Sequence, residues 1–201
     1  MDSGEWDERY NGDELVWTST PNQILVAEAV GLRAGRAVDL ACGEGRNSIW
    51  LAEQGWKVTG VDFSPVGLAK GKRVADLWGV EVTWVESDVR AWTPPPEGFD
   101  LVAMLYLQLP RPDRSAALAV AASAVAPGGT MLVVAHDVDN LTRGYGGPQH
   151  PDVLYRVSEV TEAAVNAGLT VERAEQAIRV VDTHDGPRDA IDTVVRAKCL
   201  R

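Results

Sequence analysis

Along the 201-residue chain, short runs of β-branched and other apolar residues alternate with stretches in which apolar positions recur every three or four residues. That alternation marks βαβ units, where strands covered on both faces are separated by amphipathic helices. Runs at 36–41 (RAVDLA), 57–63 (KVTGVDF), 80–88 (VEVTWVESD), 99–107 (FDLVAMLYL) and 130–137 (TMLVVAHD) predict five strands. Thr20 is placed to cap a first helix, with Pro21 in its opening turn, Gln23 closing a capping box and Gly31 as its stop. Gly55 ends a second helix over 47–55. Ser64 and Pro65 open a third that runs to about Gly79, and Pro127 and Gly128 close a fourth over 111–129.

Beyond a long connection, 158–168 predicts a last helix, and 170–180 and 189–200 two further strands. The link THDGPR is too short for a crossover helix, so these strands pair as an antiparallel hairpin. The expected fold class is α/β. It is a doubly wound, seven-stranded, mostly parallel sheet with an antiparallel terminal strand and helices on both faces. The length fits one domain over 1–201, with 1–20 as an N-terminal arm or lid.

Composition narrows the partners. Apolar residues make up 45% and charged residues 24% of the chain, with no apolar run near the roughly 18 residues of a membrane span. The start, MDSGEWDERY, lacks signal-peptide features, so the expected location is the cytoplasm. Cys42 and Cys199 have no metal-ligand or CxxC spacing, which predicts reduced thiols and no metal. A formal charge of −10 opposes binding to nucleic acid or anionic lipid, and the basic stretch KGKR at 70–73 reads as a solvated helix face. A small neutral or cationic ligand suits this balance, on a monomer or homodimer.

The candidate chemistry sits at the turn after the first strand, where doubly wound folds bind ligands. In VDLACGEGRN, Gly43 and Gly45 allow close backbone approach, and the amides near Arg46 and Asn47 are free to bind an electronegative group. The dinucleotide fingerprint GxGxxG is not completed in either alignment, which disfavours a nicotinamide-dependent oxidoreductase, and no GK[ST] follows for a phosphate loop. Asp39, inside the strand, would repel a pyrophosphate but attract an ammonium or sulfonium. Asp62 ends the second strand, where an acid can accept from both hydroxyls of a ribose.

VDLACGEGRN resembles the E/DxGxGxG motif of class I S-adenosylmethionine-dependent methyltransferases, with Ala41 where glycine is usual. The resemblance covers about residues 20–200. It implies S-adenosylmethionine as cofactor, bound by Asp39, Ala41, Cys42, Gly43, Gly45, Arg46, Asn47 and Asp62, with Phe63 near the adenine. It further implies Asp88 and the Val89 backbone on the adenine edge, and Met104 and Leu105 as the floor beneath the methionine. WDERY, CGEGRN, LYLQLP and HDVDNL are similar to the tellurite-resistance and thiopurine-type small-molecule methyltransferases. The implied activity is methyl transfer to a small soluble acceptor: a thiol, hydroxyl, amine or metalloid oxyanion. A cofactor-binding regulator of the same fold without turnover is the alternative.

Two further groups are candidates. Trp6, Tyr10 and Trp17 precede the first predicted helix, either as a plain arm or as a lid whose aromatic faces attract the sulfonium. At the other side, 135–155 is longer than most connections; His136, Asp137 and Asn140 there, and Tyr106 one strand over, are placed to face the acceptor. His136 or Tyr106 is then the candidate base for a neutral acceptor. Trp50, Trp56, Trp78 and Trp84 follow the period of their elements and are expected in the core.

Overall fold

A computed structural model of the chain describes residues 3–12, 14–16 and 18–200. Trp17, one of the candidate lid residues, lies outside the described residues. The chain begins with helix α1 (Ser3–Tyr10), followed by α2 (Gln23–Ala29). Asn22 rather than Thr20 caps α2, because its side-chain oxygen accepts from the amides of both Ile24 and Leu25. Then come β1 (Arg36–Leu40), α3 (Arg46–Glu53), β2 (Lys57–Asp62), α4 (Pro65–Trp78), β3 (Val82–Glu86) and β4 (Phe99–Leu105). Ser64 caps α4 on the Gly67 amide, with Pro65 in its first turn, as the sequence predicts.

Helix α5 (Arg111–Ser123) is shorter than 111–129, and β5 (Val125–His136) starts correspondingly early. Pro127 and Gly128 do not close the helix. They lie in a stretch that pairs with the chain's end, where Gly128 donates to the Cys199 carbonyl and Cys199 donates to that of Gly129. A Cβ on Gly129 would stand 2.6 Å from the Phe99 carbonyl oxygen, so glycine is what lets the two backbones meet. After α6 (Asn140–Arg143) and α7 (Val157–Asn166), the hairpin β6 (Thr170–Val181) and β7 (Arg188–Lys198) completes the sheet.

The strand order is β3-β2-β1-β4-β5-β7-β6, parallel except for β7, which runs antiparallel to both its neighbours. Alternation along each strand divides the core into two clusters. Val38, Leu40, Val102 and Met104 pack with Leu118 of α5 and Val160 of α7, whereas Ala37, Leu101 and Leu105 pack with Leu25 of α2 and Leu51 of α3. Trp56 is buried in the second cluster and Trp50 packs partly against it. Trp78 departs from expectation: at the last turn of α4 it is 56% exposed, beside the still more exposed Leu77.

Candidate cofactor and acceptor site

The crossover from β1 to α3 is built on left-handed backbone. Ala41, Gly43 and Gly45 have φ of 60°, 55° and 75°. The position occupied by Ala41 thus carries the conformation that glycine tolerates best, and the alanine is held there by its surroundings. Glycine at 45 also makes room for Trp84, whose ring would lie 2.3 Å from an added Cβ.

Two buried acids flank this loop. Asp39 is 1% exposed and accepts a 2.8 Å hydrogen bond from the Ser48 hydroxyl at the start of α3. Burial pushes its carboxyl up to about 6, against the Ser48 bond and the Arg46 charge that favour ionisation. Asp62 is 4% exposed; one oxygen accepts from the Gly43 amide at 2.8 Å and the other from Ser64 at 2.9 Å. Burial raises its carboxyl too, opposed by those amides. Cys42 is buried and its thiol is raised, first by burial and then by both acids, so it stays protonated.

Arg46 opens α3 and donates to the Thr18 hydroxyl across 3.4 Å. Burial lowers its guanidinium, while Tyr106 and Asp39 favour its charge. Asn47 faces the other way and accepts from the Asn22 amide, tying α3 to the cap of α2. Phe63 is partly buried, Val89, Met104 and Leu105 are buried, and Met104 and Leu105 belong to opposite core clusters. The Asp88 carboxylate is gripped by the Arg90 guanidinium, which holds it below the usual carboxylate range; Arg90 is in turn paired with Asp113.

Helix α1 docks across the end of β2. Ser3 donates to the Phe63 carbonyl and the Ser64 hydroxyl donates to Asp7. Tyr10, only 4% exposed, stacks on Trp6 and wedges between Gly43 and Gly67; an added Cβ would meet its hydroxyl at 2.6 Å and its ring at 3.2 Å respectively. Residues 14–16 are fixed by a buried ion pair: Glu44 accepts from the Val16 amide and from Lys70, and Lys70 also donates to the Glu14 carbonyl. The KGKR stretch is therefore not wholly a solvated face, since Lys70 is buried while Lys72 and Arg73 are exposed.

Beyond the loop, a second polar cluster gathers at the ends of β4, β5 and the terminal hairpin. Tyr106, with φ of 56°, donates to Asp192 Oδ2 at 2.7 Å, and Arg179 Nε donates to the same oxygen at 2.8 Å and to the Tyr106 hydroxyl at 3.0 Å. The His136 ring lies 4.8 Å from that of Tyr106, its Nδ1 3.2 Å from Asp192 Oδ1. Burial pushes the Tyr106 hydroxyl up, with Asp192 adding to it, so the phenol keeps its proton near neutral pH. Burial would raise Asp192, but the nearby His136 ring and the bonds from Arg179 and Tyr106 outweigh it and hold the carboxyl below its ordinary value.

Asp137 and Asn140 are not part of this cluster. Asp137 follows His136 on a strand end and so falls on the opposite face, where it accepts from Gln176, Thr193 and the Asp139 amide. Asn140 accepts from the Ile191 amide and donates to the Gly146 carbonyl, pinning the loop after β5 onto β7. Sequence reading missed Asp192, Arg179, Ser48 and the Glu44–Lys70 pair. Asp192 had a signal, an acid within the apolar run IDTVV, the same feature that marks Asp39 in VDLA.

The fold is similar to that of S-adenosylmethionine-dependent methyltransferases of solved structure. Residues 37–129 match the methyltransferase domain family. Over 125 residues the chain is 36% identical to demethylmenaquinone methyltransferase of Thermus thermophilus, covering 61% of this chain and 55% of that one. A structure described under the conversion of a disulfide bond into a thioacetal group during echinomycin biosynthesis superposes with a TM-score of 0.78 at 21% identity, covering 98% and 92% of the two chains. TehB from Haemophilus influenzae gives 0.72 at 18% identity, covering 98% and 66%. The chain spans about half the length of the curated relatives it matches. S-adenosylmethionine is the cofactor of the methyltransferases that the chain resembles, and the residues present fit it. The loop is built on left-handed backbone with small side chains at Ala41, Gly43 and Gly45, and two acids whose charges are costly to bury gain from a cationic ligand.

Proposed function

We propose that this chain catalyses methyl transfer from S-adenosylmethionine to a small acceptor. The observation that carries the reading is the pair of buried acids, Asp39 and Asp62, on either side of the left-handed loop Ala41–Gly45. Asp39 is placed to balance the ammonium of the methionine part, and Asp62 to accept from the ribose hydroxyls in place of, or beside, the Gly43 and Ser64 amides. Arg46 is the candidate for the methionine carboxylate, and Asp88, Val89 and Phe63 for the adenine.

When bound, the cofactor supplies an electrophilic methyl on a sulfonium. The protein's share is to hold donor and acceptor in line about 3 Å apart and exclude water. The docked α1, with Trp6 and Tyr10, is suited to the second task as a lid over the loop. His136 is the candidate base, free to accept a proton from an acceptor at the end of β5, whereas Tyr106 keeps its proton and orients its neighbours.

The test is incubation of the chain with S-adenosylmethionine and a panel of thiols, phenols, alcohols and amines, with S-adenosylhomocysteine measured by mass. Formation that depends on one acceptor supports the reading. Tight cofactor binding with no turnover on any acceptor would make the chain a cofactor-binding regulator instead.

A further inference from the structure

The acceptor end contains an arrangement that a methyl donor site alone does not need. Asp192 is fully buried on β7 and stands directly across the sheet from His136 on β5. Its two oxygens have different neighbours. Oδ2 is saturated by the Tyr106 hydroxyl and Arg179 Nε, whereas Oδ1 has within reach, among the described residues, only His136 Nδ1 at 3.2 Å. The two atoms are poorly aligned for a hydrogen bond, yet both are buried and neither has another partner among the described residues. A small rotation of the imidazole completes the bond and satisfies both, which is far less costly than leaving a buried carboxylate oxygen and a buried ring nitrogen unpaired.

The ring has few other ways to turn. Tyr106 lies against it, and Gly147 packs so closely that an added Cβ would be 3.0 to 3.1 Å from three ring atoms. Nε2, by contrast, makes no hydrogen bond among the described residues, and the side chain keeps 15% of its surface exposed.

We infer that Asp192 is a positioning residue: it holds the proton of His136 on Nδ1 and leaves Nε2 bare, so that the acceptor is a hydroxyl or amine whose proton passes to Nε2. This rests on the methyl-transfer reading. As the acceptor's lone pair forms its bond to the methyl carbon, the carbon–sulfur bond breaks with its electron pair left on sulfur. The acceptor proton goes to Nε2, and the charge of the resulting imidazolium is balanced by Asp192. An acceptor that arrives already as a thiolate has no proton to give and no use for the pair.

The tautomer can be read without any acceptor, from long-range 15N–1H correlation spectra of the intact labelled chain at a pH where the imidazole is neutral. Only three histidines are present, and His150 and His184 lie exposed in loops as internal references. The expected spectrum shows His136 protonated on Nδ1. In Asp192→Asn, Tyr106 and Arg179 pin the amide oxygen at the Oδ2 position and turn the amide nitrogen toward Nδ1, so the proton moves to Nε2. A native chain protonated on Nε2, or a variant with an unchanged tautomer, overturns the assignment of Asp192; the first of these needs no variant to fold. With an acceptor in hand, His136→Gln and Asp192→Asn each lower kcat at least about 100-fold while leaving cofactor affinity within about 2-fold. Turnover confined to thiols and indifferent to His136→Gln overturns the acceptor class. The expected tautomers without methyl transfer to anything leave the positioning intact and remove the proposed function.

Discussion

Burial sets the behaviour of Asp39 before any ligand arrives. With a carboxyl near 6 in the fold, against about 3.9 in an unfolded chain, the native state binds the proton more tightly. The unfolded state therefore holds fewer protons between those values, and stability falls as pH rises from about 4 to 6, by about 3 kcal/mol in all. Asp39→Asn removes that loss. Thermal unfolding of the free protein should show the variant more stable than the native chain at pH 7.5, with the difference gone by pH 4. Cofactor affinity should run the other way, weaker in the variant and, for the native chain, falling below pH 6 as the acid protonates. A neighbouring residue gives a second prediction. Ala41 sits at φ 60°, so Ala41→Gly should raise stability by up to about 1 kcal/mol in chemical denaturation, strain relief being partly offset by glycine's greater freedom when unfolded. Unchanged or lower stability would mean that the alanine methyl makes contacts worth more than the strain. The acid within an apolar strand and the glycines after it were legible in the sequence because each violates the local pattern. The left-handed backbone of Tyr106 was not, since nothing in LYLQLP requires it.

Among the elements, α1 is the one proposed as a lid over the site. It covers the end of β2, where Asp62 lies, and Tyr10 closes against Gly43 and Gly67. Tyr10→Ala should loosen α1 without disturbing the sheet, raising amide hydrogen exchange in residues 3–12 at least about 10-fold while β1 and β4 keep their protection. Unaltered exchange in α1 would show that Ser3, Asp7 and Trp6 hold it by themselves. The sequence left arm and lid open because aromatic residues in a polar segment mark docking but not its target. The target is set by Gly67, a helix glycine whose role appears only when Tyr10 is seen against it. The same lesson applies to Lys70 and Glu44: their pairing links residues 26 apart, and no local pattern announces it. Where the signal was local, as for the Ser64–Pro65 start of α4, the prediction and the structure agree. It failed where tertiary pairing overrides it, in Pro127–Gly129, which join the strand edge instead of ending α5.

For the molecule as a whole, the alternation of strands and helices determined the α/β class, and the short link before the last strand fixed its reversal. What the reversal accomplishes emerged only in three dimensions. By running against β5, β7 brings Asp192 level with His136, and β6 brings Arg179 beside them, so His136 forms one cluster with residues more than forty positions beyond it in sequence. On the proposed function the site has two halves, a cofactor half on the β1 and β2 ends and an acceptor half on the β4, β5 and β7 ends. The acceptor half can act only if the cofactor half binds its ligand. Calorimetric titration with S-adenosylhomocysteine tests it most directly, comparing the native chain with Asp62→Ala and with NAD as a control ligand. The expected result is one site per chain, affinity lowered about 10- to 100-fold in the variant, as expected for losing hydrogen bonds to a charged acceptor, and no heat with NAD. Equal affinity in the two proteins, or a preference for NAD, would contradict it.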